Sequence, residues 1–243
     1  MGERGLEQNK NTPTRESLVS LQPARESGRS PAAAPEDAGA PAALAEIFAD
    51  GSADGAATGF ALSHLRPGAR VLWVQDRLSR REGGKPYVSG FGLPLEVLWL
   101  EVGRAVDALW AMEQALGCPA LSAVVGEVWG DPPALDFTAT KRLALRAEAH
   151  GVRAWLIRRA ATPGLWAARE RWQLRSLPSP PHPFDPDAPG EATWRATLFR
   201  ARRRPPAEWV ARRPPDPDRA APVLVPTADA TLPAAQGGRR ARA

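Results

Sequence analysis

The chain has 243 residues, 32 Lys and Arg against 27 Asp and Glu, a formal net charge of +5 and one cysteine, Cys118. This length accommodates one domain of ordinary size with additional segments, while one cysteine excludes an internal disulfide and a multi-cysteine zinc site. No run of 18 apolar residues is present, and the N-terminal segment lacks the apolar core of a signal peptide, so we expect a cytoplasmic protein without membrane spans.

The first part of the chain divides into a polar segment and a glycine-rich loop. Residues 1–40 are rich in Ser, Pro, Glu, Ala and Arg without apolar periodicity, so we predict that they are disordered. Residues 47–62, IFADGSADGAATGFAL, are a short apolar run, a glycine-rich loop and a helix that we predict to begin at Gly59. This is the layout of a phosphate-binding loop, in which backbone N–H groups and a helix N-terminus hold an anion.

The loop lacks the residues that carry the chemistry of that motif, GxxxxGK[ST]. Gly55 is its second glycine, but Asp50 replaces the first, and Ala56 and Ala57 replace the Lys and the Ser or Thr. The glycines, including Gly51, can line an anion pocket or can supply positive φ angles to a tight turn. We favour the turn, because acidic side chains in the loop repel phosphate.

The central part of the chain alternates apolar runs with helical patterns. Near-continuous apolar runs, typical of buried parallel strands, occupy 70–75, 96–101, 121–128 and 152–158. Helical spacing fills 103–117 and 136–151, which end at Gly117 and Gly151, and Asp136 or Thr138 is the expected N-cap of the second helix. This alternation predicts an α/β fold with a mostly parallel sheet.

The last part of the chain changes to a period of two, which predicts antiparallel strands over 171–177 and 193–202. Beyond them, 205–243 is rich in Pro, Ala and Arg, and we predict a disordered basic tail after an α/β domain over 41–204. Within this tail we consider 205–213 a short docking motif that folds on a partner. Its candidate contact residues are Trp209, Arg212 and Arg213.

Aromatic and basic residues are mixed in the two predicted antiparallel strands, at Trp172, Arg175, Trp194, Arg195 and Arg200. Such a mixture can stack and clamp single-stranded nucleic acid. Packing within a sheet explains the two tryptophans equally well, and both interpretations stay open at this point.

Several stretches, in chain order, carry a resemblance to a known family. They are GAATGFAL, DALWAMEQAL, ALSAVVGEV, LDFTATKRLALRAEAHGV, RWQLRSLPSPPH and ATWRATLFRAR. Across about 42–204 the chain resembles the ImuA family, the RecA-like accessory proteins of bacterial translesion-synthesis cassettes, chiefly in their alphaproteobacterial form. The resemblance implies a RecA-like three-layer domain related to RecA and to the SulA cell-division inhibitor. It also implies RecA and ImuB as partners, and through them an error-prone DNA polymerase.

A RecA-type ATPase needs further carboxylates at the ends of its strands. Here Asp76 ends a predicted strand, but Arg77 and Leu78 follow where the resemblance implies a catalytic Glu. Gly126 occupies the position implied for the magnesium-associated Asp, and Glu127 follows it, where a one-residue shift is expected to turn the side chain to the opposite face. We expect these two strand-end carboxylates to be solvated or hydrogen-bonded.

Loss of the Lys, the hydroxyl and the catalytic Glu together predicts a protein that is not an enzyme and holds no cofactor or metal. We therefore expect an adaptor in the SOS response that links RecA and ImuB to the polymerase, with weak DNA contact through the basic tail. Two alternatives remain. One is a SulA-type inhibitor of cell division, and the other is a weak DNA-dependent ATPase that takes its cation from Lys85 in REGGKPY.

Overall fold

Nine strands and four α-helices follow one another along the part of the chain that the computed structural model describes, residues 43–164, 167–185, 187–213 and 223–227. The strands are β1 Leu44–Ala49, β2 Arg70–Asp76, β3 Glu96–Val102, β4 Ala123–Trp129, β5 Arg153–Arg159, β6 Glu170–Leu177, β7 Thr193–Ala201, β8 Ala207–Arg212 and β9 Val223–Pro226. The helices are α1 Ala56–Leu62, α2 Arg77–Gly83, α3 Ala105–Ala115 and α4 Phe137–His150, with a 3₁₀ turn at Val88–Phe91. None of these helices is long and apolar enough to cross a membrane.

All nine strands form one sheet in the order β3-β2-β4-β5-β1-β6-β7-β8-β9. Strands β1 to β6 are parallel to one another, and β6 to β9 pair antiparallel. The predicted α/β class, with a mostly parallel sheet and antiparallel strands toward the C-terminus, is confirmed. The first strand lies in the middle of this sheet, between β5 and β6.

The two faces of the sheet bury separate cores because successive side chains of a strand point to opposite faces. One face packs against α1 and is rich in aromatic rings, among them Phe60, Trp73, Trp155 and Trp172. The other face packs against α3 and α4 through aliphatic side chains. Helices on both faces give the expected three layers.

Local sequence signals fix the ends of the helices. Asp136 accepts a hydrogen bond from the Ala139 amide at 2.7 Å, and Gly151 ends α4 in the left-handed conformation at φ 69°. Both predictions for this helix are confirmed. The predicted start of α1 at Gly59 is wrong, because the helix begins at Ala56, where the Asp54 carboxylate accepts the amide hydrogen bond.

The C-terminal segment joins the sheet, so the prediction of a disordered tail from 205 onward is wrong for β8 and β9. The ring of Trp209 in β8 is 1% exposed and lies 5.7 Å from that of Trp172, centroid to centroid. Burial of this apolar strand face outweighs the tail-like composition around it. The disorder predicted for 1–40, 214–222 and 228–243 concerns residues that lie outside the described ranges.

Candidate functional site

The loop at 50–55 joins β1 to α1 at the carboxyl end of the central strand. In open α/β sheets ligands bind outside the carboxyl ends of the strands, where the chain order reverses. The ends of β4, β5 and β6 surround the loop and contribute Glu127, Arg159 and Ser176. This is the candidate site, and its side chains determine whether an anion fits.

Arg159, 3% exposed, extends from the end of β5 into the loop. Its Nη1 donates to the carbonyl oxygens of Ser52 at 3.2 Å and Asp54 at 3.0 Å, and its Nη2 donates to the Thr58 hydroxyl at 2.9 Å. Its Nε donates to Glu127 Oε2 at 2.8 Å. A phosphate-binding loop points N–H groups inward, whereas this loop directs two carbonyl oxygens to a buried cation.

The Asp54 carboxylate links the start of α1 to the end of β6. Its Oδ1 accepts from the Ala56 amide at 2.8 Å and the Ser176 hydroxyl at 2.6 Å, and its Oδ2 accepts from the Ser176 amide at 2.9 Å. Burial raises the pKa of this carboxyl, but the bonds from Ser176 and Ala56 and the charge of Arg159 outweigh it and hold the pKa below the ordinary value. A carboxylate of the chain therefore occupies the place of an anion.

The two alanines that replace the Lys and the hydroxyl belong to the core. Ala56 and Ala57 are both 0% exposed and pack in the aromatic-rich layer. Neither Gly51 nor Gly55 has a positive φ angle, so the explanation of these glycines by a left-handed turn is wrong. Asp50 instead points outward and pairs with Arg175, with 3.5 Å between Oδ2 and Nε.

Glu127 faces the loop, and Gly126 faces away from it. Glu127 is 0% exposed and accepts from Trp73 Nε1 at 2.9 Å as well as from Arg159. A Cβ atom at position 126 would lie 2.2 Å from the sulfur of Met112 in α3. The expectation that position 126 faces the loop is therefore wrong, and the carboxylate that does face it is neutralised by an arginine.

Asp76 has a structural role at the next strand end. Its carboxylate caps α2 by accepting from the Ser79 amide at 2.7 Å, and it accepts from the Trp129 amide at 3.0 Å. The expectation of a hydrogen-bonded carboxylate is confirmed here. Lys85, the alternative cation of the ATPase hypothesis, places its ammonium 4.6 Å from the centroid of the Trp99 ring.

The tryptophans among the candidate nucleic-acid and docking residues are buried. Trp172, Trp194 and Trp209 are 1%, 5% and 1% exposed in one core layer, so no face of these rings is open to a base. Burial of Trp209 makes its assignment as a docking anchor wrong. The basic candidates lie outside this core: Arg195 Nε is 3.8 Å from Glu208, Arg213 lies over the Phe91 ring, Arg212 ends β8 and Arg200 is exposed on β7.

A second ionic cluster lies under the opposite face of the sheet. Glu46, 0% exposed, accepts from Arg158 Nη1 at 3.1 Å and from Arg171 Nε at 2.8 Å. Burial raises the pKa of Glu46 against the opposing charges of Arg171 and Arg158, and burial lowers the pKa of Arg171. Sequence analysis missed this cluster, although a charge inside the apolar run of β1 is a signal that could have indicated it.

Comparison with known proteins adds no identification, since no protein-family model matches the chain and no curated protein matches it. Within the described ranges, no group of three or more His, Cys, Asp and Glu residues is arranged to hold a metal ion. Any functional assignment therefore depends on the geometry of the loop. In this loop Arg159 donates hydrogen bonds to both Glu127 and the carbonyl oxygen of Asp54.

Proposed function

We propose that the protein is a non-catalytic, RecA-like adaptor in SOS-induced translesion synthesis, which links RecA and ImuB to an error-prone polymerase in the cytoplasm. The resemblance of 42–204 to the ImuA family supports the pathway. One structural observation supports the absence of catalysis, namely that Arg159 and Asp54 fill the loop from within. Both residues bond to other groups of the chain. A nucleotide phosphate, in contrast, needs N–H donors that are free to bind it.

The chemistry of phosphoryl transfer explains why this observation supports the proposal. Catalysis of that reaction depends on cations and N–H donors placed around the transferred group. In this loop the guanidinium of Arg159 is bound to two carbonyl oxygens, a hydroxyl and a carboxylate. Rebuilding a phosphate site would break these bonds and would require larger side chains at the buried positions of Ala56 and Ala57.

An adaptor needs exposed apolar surface, and the described sheet offers it at β3. This strand is the outermost on its side, and α3 packs beside it. The apolar side chains Leu98 and Trp110 are 55% and 63% exposed, and Leu100 and Val106 are 38% and 44% exposed. An open strand edge flanked by exposed apolar side chains is a typical place for a partner segment to bind.

Co-purification of the full chain with RecA and with ImuB tests the proposal. We expect the unaltered protein to retain both partners and Leu98→Asp/Trp110→Asp to lose one of them by about tenfold or more, because burying a carboxylate against an apolar partner is costly. Phe184→Asp is the matched control, since that ring is 91% exposed outside β3 and α3. Failure of the unaltered protein to retain either partner overturns the adaptor role.

A further inference from the structure

A cleft of about 570 Å³ opens at the amino ends of β1, β5 and β6, away from the loop described above. It is lined by Arg153, Arg169, Arg202, Arg203 and Arg204 and by two glutamates, which leaves an excess of three positive charges. Arginine clusters of this kind recognise carboxylates and phosphates through paired N–H donors.

Two of these arginines already bind carboxylates. Arg169 holds Glu148 with two donors, one of them Nη2 at 2.8 Å from Oε2, and Arg204 Nη2 lies 2.7 Å from Glu170 Oε1. Arg202 and Arg203 lie near enough that their charges help to lower the pKa of the Glu148 carboxyl, after the larger effect of Arg169.

Arg202 and Arg203 are two cations of this cleft that are placed to meet a ligand, whereas the guanidinium of Arg153 lies over the Trp155 ring, 4.6 Å from its centroid. Both are exposed, and neither forms an ion pair with a carboxylate within the described part of the chain. The Arg202 amide donates to the Arg169 carbonyl oxygen at 3.0 Å, which fixes the backbone of this segment beside the occupied pair. A carboxylate of a ligand would bind a guanidinium group here, as Glu148 and Glu170 do.

A second cavity, of about 380 Å³, adjoins the first and shares Arg169 and Arg202 with it. Its apolar lining includes Phe137 and Leu145, which are 48% and 51% exposed. These two side chains and Lys141 recur every four residues along α4, so they lie on one face of the helix. An apolar surface with a basic edge thus continues the arginine cleft.

We propose that the two cavities form one binding groove for an acidic peptide. Its carboxylates pair with Arg202 and Arg203, and an apolar side chain of the peptide lies against Phe137 and Leu145. The apolar surface favours a peptide over nucleic acid, because Phe137 is the one aromatic ring among the described residues lining the groove and a nucleic acid would need several for stacking. This inference goes beyond the adaptor role, since it specifies a ligand chemistry that does not depend on RecA or ImuB.

Fluorescence anisotropy with the full chain tests the groove. The probes are a labelled peptide of Asp and Glu that contains two Leu residues, an all-Glu peptide of the same length and a labelled oligothymidine. We expect the Leu-containing peptide to bind most tightly. Arg202→Glu/Arg203→Glu should weaken its binding about tenfold or more, because two charge-assisted contacts become repulsive.

Two further variants separate the groove from general basicity. Arg77→Glu/Arg81→Glu reverses two exposed charges on α2, away from the groove, and should change binding by no more than about twofold. Leu145→Ser should weaken the Leu-containing peptide and leave the all-Glu peptide unchanged. Tighter binding of the oligothymidine, an equal loss in the α2 variant, or no peptide binding at about millimolar concentration overturns the inference.

Discussion

Asp54 shows how a single carboxylate sets the shape of the loop. It accepts hydrogen bonds from the amide of Ala56 in α1 and from both the amide and the hydroxyl of Ser176 in β6. Three donors, on α1 and β6, therefore bond to this one carboxylate. In an ordinary exposed loop residue, water would fill these places. The consequence is a pKa below the ordinary value and a loop that is tied through Asp54 to both α1 and β6.

We predict that Asp54→Asn destabilises the protein by about 1 kcal/mol at neutral pH. Because the folded state holds this pKa below the unfolded value of about 3.8, the carboxylate contributes fully above that value and loses its contribution as the pH falls through the folded pKa. The difference between the two proteins should therefore become smaller as the pH falls below about 3.8. Urea unfolding at neutral pH and at about pH 2 measures it.

Asp50→Asn is the control in the same loop. Its carboxylate is about half exposed and lies 3.5 Å from Arg175, so its removal should change the free energy of unfolding by less than about 0.5 kcal/mol. An effect as large as that of Asp54→Asn would mean that the charge of the loop, and not the hydrogen bonds of Asp54, decides stability.

At the scale of elements, the end of β5 places one buried ion pair on each face of the sheet. Arg158 and Arg159 are adjacent, so they point to opposite faces, and each ends against a buried carboxylate, Glu46 or Glu127. Through these pairs β5 is tied to β1 and β4, and Arg159 also ties it to the loop. Such pairs rarely add net stability, but loss of one partner leaves an uncompensated buried charge.

We predict that Arg159→Met costs about 3–5 kcal/mol of the free energy of unfolding, since Glu127 stays buried without its cation. Glu127→Gln combined with Arg159→Met should recover part of the loss, because the charge is then gone. Arg81→Met, at a side chain that is 75% exposed, should change stability little. A double variant no more stable than the single one would show that the bonds of Arg159 to the loop are the larger contribution.

Strand β8 makes a testable contribution to the core. Replacing Trp209 by Ala should lower stability by about 3–5 kcal/mol, because this ring is 1% exposed and packs on Trp172. Trp110→Ala is the matched control on α3, where the ring is 63% exposed and a change of less than about 1 kcal/mol is expected. Thermal unfolding followed by circular dichroism compares them, and equal losses would contradict the packing of β8.

The elements differ in how far the sequence could reveal them. Strands β2, β4 and β5 are recognisable because both of their faces are largely buried, so each is a near-continuous apolar run. The edge strand β3 has a similar apolar run, although Leu98 and Leu100 are exposed, and all four strands lie within two residues of their predicted ranges. Strand β8 could not be recognised in the sequence, because the prolines and arginines around it are typical of a disordered segment. The pair of Arg159 with Glu127 spans 32 residues of sequence, so only the register of β4 with β5 brings it together.

At the scale of the whole molecule, the filled loop predicts that nucleotide does not stabilise the fold. A ligand present at 100 times its dissociation constant would add about 2.7 kcal/mol to the free energy of unfolding. We expect no change of the thermal midpoint with magnesium and ATP at millimolar concentration. A rise that Lys85→Ala abolishes would contradict this expectation and favour the ATPase alternative.

The side chain of Arg159 occupies the loop, and unlike a bound nucleotide it cannot dissociate. A diffusible ligand shifts a conformational equilibrium only when it binds one state better than the other. If the adaptor role holds, no cycle of nucleotide binding and release times the association of this chain with its partners, and the amount of complex follows their concentrations alone. In that case we expect the concentration of the protein, and not a bound nucleotide, to set how much complex forms.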